Sequence, residues 1–114
     1  MTTFPTMPAL LYTVRATCKD IPQRGRFLSW LSPNHLLEVK AGGATAVRVV
    51  LPDRESETAP AVVETQYVFP SRKVFEKYLR DHAPALRADG LKHFPPDSGI
   101  TFARQIAEIA CELE

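Results

Sequence analysis

The segment Pro52–Pro60 (PDRESETAP) constrains the fold more than any other part of this chain. It is polar, charged and bounded by prolines, and it has no apolar periodicity. On either side lie stretches that alternate like strands. Thr45–Leu51 (TAVRVVL) sets Val47, Val49 and Leu51 against Ala46, Arg48 and Val50. Ala61–Phe69 (AVVETQYVF) sets Val63, Thr65, Tyr67 and Phe69 against Val62, Glu64, Gln66 and Val68. Parallel neighbours need a long crossover, usually a helix, and this connection contains none. The two strands are therefore expected to run antiparallel, which excludes an all-parallel α/β sheet.

Around this pair the chain reads in order. Leu10–Cys18 (LLYTVRATC) is a strand with Tyr12, Val14, Ala16 and Cys18 on one face and Leu11, Thr13, Arg15 and Thr17 on the other. Asp20 can cap a helix, with Gln23 completing a capping box and Pro22 tolerated in the first turn. That helix is expected over 22–31, broken at Pro33, resumed over 34–41 and ended by Gly42–Gly43. Ser71 reads as the N-cap of a second helix whose stripe is Val74, Phe75, Tyr78, Leu79 and His82. Pro84 breaks it near His82–Ala83, and a short piece over 85–89 is expected to end at a left-handed Gly90. Leu86, Leu91 and Phe94 are its anchors. Ile100–Ile109 closes the chain as a strand, with a helix over 103–113 as the competing reading.

The order β-α-β-β-α-β is that of a ferredoxin-like α+β sandwich: a four-stranded antiparallel sheet with two kinked helices on one face. A chain of 114 residues fits one domain, read as 10–114 behind a flexible leader over 1–9, with Met7 an alternative start. A hydrophobic fraction of 45% separates it from disordered chains, and a net charge of +1 gives no electrostatic case for nucleic acid or an anionic membrane. No apolar run reaches the length of a membrane span, and the first residues lack the pattern of a signal peptide. Cys18 and Cys111 have neither CxxC nor ligand spacing, so they read as reduced thiols of a cytoplasmic protein.

A family resemblance rests on YTV at Tyr12–Val14, Trp30 followed by His35, Tyr67, and above all YLRDHAPALRADGLKHF from Tyr78 to Phe94. These resemble a group of small bacterial proteins classed as a domain of unknown function and built as dimeric α+β barrels. The resemblance covers most of residues 10–108. It implies a fold and a homodimer, in which two sheets pack face to face and can enclose a cavity. It implies no reaction and no cofactor.

If the helices cover the Tyr12, Val47 and Tyr67 side, the open face carries Arg15, Arg48, Glu64 and Gln66, with Arg104 expected to join them if the last strand holds that register. In a dimer this set would form interface salt bridges, or line a pocket in which Glu64 neutralises one arginine and the other meets a small anionic or carbonyl-bearing molecule. His82, on the apolar stripe, is expected to be buried and bonded to a carbonyl freed by Pro84. His35 reads as a residue at a loop end, His93 as solvent-exposed and Trp30 as a packing anchor of core or dimer. Three separated histidines give no metal site.

Three functions compete. The first is a non-catalytic homodimer that binds a small ligand or partner. The second is a cofactor-free enzyme of the monooxygenase or isomerase type, using Arg15, Arg48, Glu64 and His82. Haem-degrading proteins of similar build want an asparagine and a tryptophan where this chain has Thr13 or Arg15 and Gln66 or Tyr67. The third, RNA binding, needs aromatics on the open sheet face, whereas Tyr12, Tyr67 and Phe69 fall on the covered one. The first is preferred.

Overall fold

The computed structural model describes residues 7–113; of the leader expected over 1–9, residues 1–6 lie outside the described residues. Strands β1 (Leu10–Cys18), β2 (Ala46–Val50), β3 (Ala61–Phe69) and β4 (Thr101–Glu108) form one antiparallel sheet in the order β2-β3-β1-β4. Helices α1 (Ile21–Trp30), α2 (Leu36–Ala41), α3 (Arg72–Asp81) and α4 (Ala83–His93) complete a ferredoxin-like fold. The last segment is a strand, and the competing helix over 103–113 is not formed. Among the described residues no helix is long and apolar enough to cross a membrane.

Register fixes the two faces. Tyr12 pairs with Tyr67, Val14 with Thr65 and Ala16 with Val63, so these side chains share the helix-covered side. Burial follows the same alternation along β3, where every second residue from Ala61 to Phe69 is buried. Arg15 pairs with Glu64, and Arg48 with Gln66, on the uncovered side.

Helices α1 and α3 begin at the caps their sequence marks. The Asp20 carboxylate accepts the Gln23 amide at 2.8 Å, and the Ser71 hydroxyl accepts the Val74 amide at 3.2 Å. Gln23 departs from a simple capping box. Its buried amide accepts from the Lys19 backbone at 2.8 Å and donates to the Ser98 carbonyl at 2.7 Å, tying α1 to the turn before β4. Between α1 and α2 the chain makes a wide turn over Leu31–His35, where Ser32 leaves helical angles ahead of Pro33. Proline also separates α3 from α4: Pro84 lies in the first turn of α4, where its missing amide costs nothing.

Gly90 corrects the reading of this second break. It does not end the helix, which runs on to His93 with Phe94 as its cap. A Cβ at Gly90 would lie 3.5 Å from the Trp30 ring, an ordinary contact, so the position packs against the indole and supplies no turn. Leu91 is 53% exposed and is not an anchor.

Two apolar clusters fill the space beneath the helices. One joins Leu10, Tyr12, Tyr67, Phe69, Phe75 and Tyr78 under α2 and α3. The other joins Ala16, Cys18, Phe27, Leu31, Val63 and Ile100 under α1. Leu36 packs against both.

Candidate functional site

The residues singled out in the sequence separate into distinct places. Arg15, Arg48, Glu64 and Gln66 lie together on the open sheet face. The Arg15 guanidinium donates to Glu64 at 2.6 Å, and Arg48 Nε donates to the Gln66 amide oxygen at 2.6 Å. Both are directly opposed cross-strand pairs. Glu64 thus meets Arg15, while Arg48 is held by a neutral partner and keeps an uncompensated charge. A shallow groove of about 280 Å³ runs from Arg15 and Val62 to the Pro52–Pro60 loop.

Arg104 does not join this face. It pairs with Val14 in the β1–β4 register, and alternation turns it to the helix side. The expectation for His82 is also corrected. His82 is half-buried, and its ring lies parallel to Tyr78 at 6.3 Å between centroids rather than capping a freed carbonyl. His93 is exposed as expected, with Nδ1 3.0 Å from the Asp89 carbonyl.

A cavity open to solvent at its rim lies on the covered side, between the sheet, the α1–α2 turn and α4. Its volume is about 210 Å³. Tyr12, Thr65, Tyr67, Tyr78 and Phe27 form buried walls. Trp30, His35 and Phe102 are half-buried beside them, while Arg87, Leu91 and Arg104 are exposed at the rim. It occupies the seam between the two apolar clusters, drawing Tyr12, Tyr67 and Tyr78 from one and Phe27 and Leu31 from the other.

Local sequence explains each placement. Strand alternation delivers Tyr12, Thr65, Tyr67, Phe102 and Arg104 to the same side. The turn ahead of Pro33 brings His35 back onto Trp30, with ring centroids 4.3 Å apart. The indole Nε1 donates to Asp89 Oδ2 at 3.2 Å, fixing α4 against α1. Arg87 reaches down from α4 to donate to the Tyr12 hydroxyl at 3.3 Å.

The electrostatics of this cavity are unusual in two respects. Its lining contains Arg87 and Arg104 but no carboxylate. Among the described residues no carboxylate lies within ion-pairing distance of either guanidinium. His35 Nδ1 is buried with no hydrogen-bond partner, the one such side-chain atom among the described residues. Burial holds the His35 imidazole below its ordinary range, against the opposing pull of Glu38 and Asp89, so the ring is neutral at physiological pH. Burial pushes the Tyr78 phenol up to about 12, helped by Tyr12 and opposed by Arg87 and Arg104. Burial also raises Tyr67, followed by Tyr78 and Tyr12. The site therefore offers neutral phenols and imidazole inside, and cations at its edge.

Trp30 and His35 were visible in the sequence, but as a packing anchor and a loop-end residue. Tyr12, Thr65, Tyr67, Tyr78 and Arg87 were missed as site residues. The available signal was Thr65, a hydroxyl on an otherwise apolar strand face, together with Arg87 beside Leu86 on α4.

No protein-family model matches the chain, and no curated protein matches it. Solved structures do. A designed protein, Foldit4, is similar at 13% identity and a TM-score of 0.54, over 87% of this chain and 96% of the other. A dimeric ferredoxin-like protein from an uncultured marine organism is similar at 17% identity and a TM-score of 0.68, over 93% of this chain and 99% of that one, and the fold is what the two share.

Proposed function

We propose that the chain is a homodimer, paired through the open faces of its sheets, in which each copy binds a small molecule in the cavity beneath its helices. The observation that carries the binding reading is the cavity itself, walled by aromatic side chains and lined by two guanidiniums that no carboxylate offsets. Pairing is supported by the dimeric neighbour and by the half-buried row Leu11, Thr13, Val62 and Val68 on the uncovered sheet face. On this reading Arg15, Arg48, Glu64 and Gln66 belong to the interface rather than to the ligand.

A cofactor-free enzyme is the second reading. The observation favouring it is a neutral imidazole in an apolar enclosure, the state a general base requires. Arg15, Arg48 and Glu64 would take no part, since they lie on the opposite face from His35.

Light scattering combined with calorimetric titration tests the proposal. Titrants are neutral, anionic and cationic aromatic compounds of one or two rings. The expected result is a dimer that Arg48→Glu weakens, and saturable binding of at least one compound that Thr65→Phe abolishes without changing the dimer. A monomeric wild type would remove the pairing. Heat from no charge class would remove the cavity as a binding site.

A further inference from the structure

We infer that the ligand class is a planar aromatic carboxylate, with its ring inside the cavity and its carboxylate held at the rim by Arg87 and Arg104. This rests on the cavity being a binding site, as proposed above, and adds the chemistry that it selects.

Size sets the ring. An apolar cavity of about 150 Å³ holds benzene. One of about 210 Å³ takes a substituted single ring or two fused rings. The walls favour an aromatic guest: they are themselves aromatic, with Tyr12 and Tyr67 at 5.9 Å and 29° and Trp30 and Phe27 tilted by 41° at 5.7 Å, surfaces against which a ring can stack or tilt. Charge sets the sign. Two guanidiniums and no carboxylate line the cavity. The carboxylate of Asp89 is nearby but already accepts the Trp30 indole proton at 3.2 Å, and it stands 3.6 Å from His93. A cationic ligand would meet Arg87 and Arg104 with nothing in the lining to offset them.

Arginine suits a carboxylate because its planar fork donates two parallel hydrogen bonds. Arg87 is already oriented by the Tyr12 hydroxyl at 3.3 Å, so little side-chain freedom remains to be lost. Arg104 lies on the facing strand, with its guanidinium 6.0 Å from the Phe102 ring centroid. The two approach the rim from helix and sheet, a two-sided grip that neither would supply alone.

Calorimetry with three probes of one shape decides it: 2-naphthoate, neutral 2-naphthalenemethanol and cationic 2-naphthylmethylammonium. The acid is expected to bind at least about tenfold more tightly than the alcohol at low salt, and the ammonium most weakly. Arg87→Gln and Arg104→Gln should each remove part of that preference, and the double variant all of it, with the acid's affinity falling further than the alcohol's. Equal binding of acid and alcohol overturns the assignment while leaving the cavity a binding site. Loss of both ligands alike in the glutamine variants also overturns it, since the arginines would then shape the cavity rather than grip the anion. Binding of none of the three overturns the assignment together with the reading beneath it.

Discussion

Replacing His35 with phenylalanine should make the protein more stable, although it removes a residue of the candidate site. The imidazole Nδ1 is buried and unpartnered, a state that costs about 1–3 kcal/mol relative to an apolar group of similar shape. Phenylalanine keeps a ring against Trp30, and the adjoining cavity accommodates its extra volume. The expected net gain at pH 8 is about 1–2 kcal/mol. For 114 residues the unfolding entropy is about 0.24 kcal/mol per kelvin, so the midpoint should rise by about 4–8 °C. The pH dependence follows from the depressed pKa. The unfolded chain takes up a proton near pH 6.5, before the folded chain does. Stability of the wild type is therefore present above that value and lost as the pH falls through the lower folded value. The variant escapes this loss, so its advantage should widen between pH 8 and pH 5.5. Urea unfolding followed by the emission of Trp30, the chain's one tryptophan, measures both effects. A variant less stable than wild type at pH 8, or an advantage that shrinks in acid, would refute the view that His35 is retained at a cost to folding.

Three glycines should respond differently to alanine. Gly25 has open space around its missing Cβ, and Gly90 has an ordinary contact with Trp30, so both substitutions should add about 0.5–1 kcal/mol in thermal unfolding; at Gly42 the new carbon would lie 2.8 Å from the Tyr78 ring and should cost about 1–3 kcal/mol. Tyr67 and Tyr78 should stay protonated in alkali until denaturant is added, as read by phenolate absorbance. Because their folded pKa values are raised, the folded chain holds protons that the unfolded chain releases, and stability should fall as the pH climbs above about 10.

How far the sequence discloses this molecule depends on which interaction decides each feature. Strand faces are legible because alternation is a local property: Val63, Thr65, Tyr67 and Phe69 are buried together as their spacing predicts. Caps at Asp20 and Ser71 are legible for the same reason. Gly90 misled because the helix runs on past it, packed against Trp30, sixty residues away along the chain and invisible to local rules. Arg104 misled because one position of register decides its side, and nothing within β4 fixes that register. The cavity was out of reach: it exists where the turn at Pro33, helix α4 and three strands converge, and no window of sequence contains them.

The position of that cavity between two apolar clusters bears on cooperativity. Leu36 and the shared strands β1 and β3 bind the clusters into one unit, yet the space between them is not filled by side chains. A molecule lodged there would touch walls from both clusters at once and so join them. The empty chain would then have a seam along which α4 can part from the sheet at less cost than either cluster can come apart. Occupancy would be felt as mechanical continuity, a single core where there had been two.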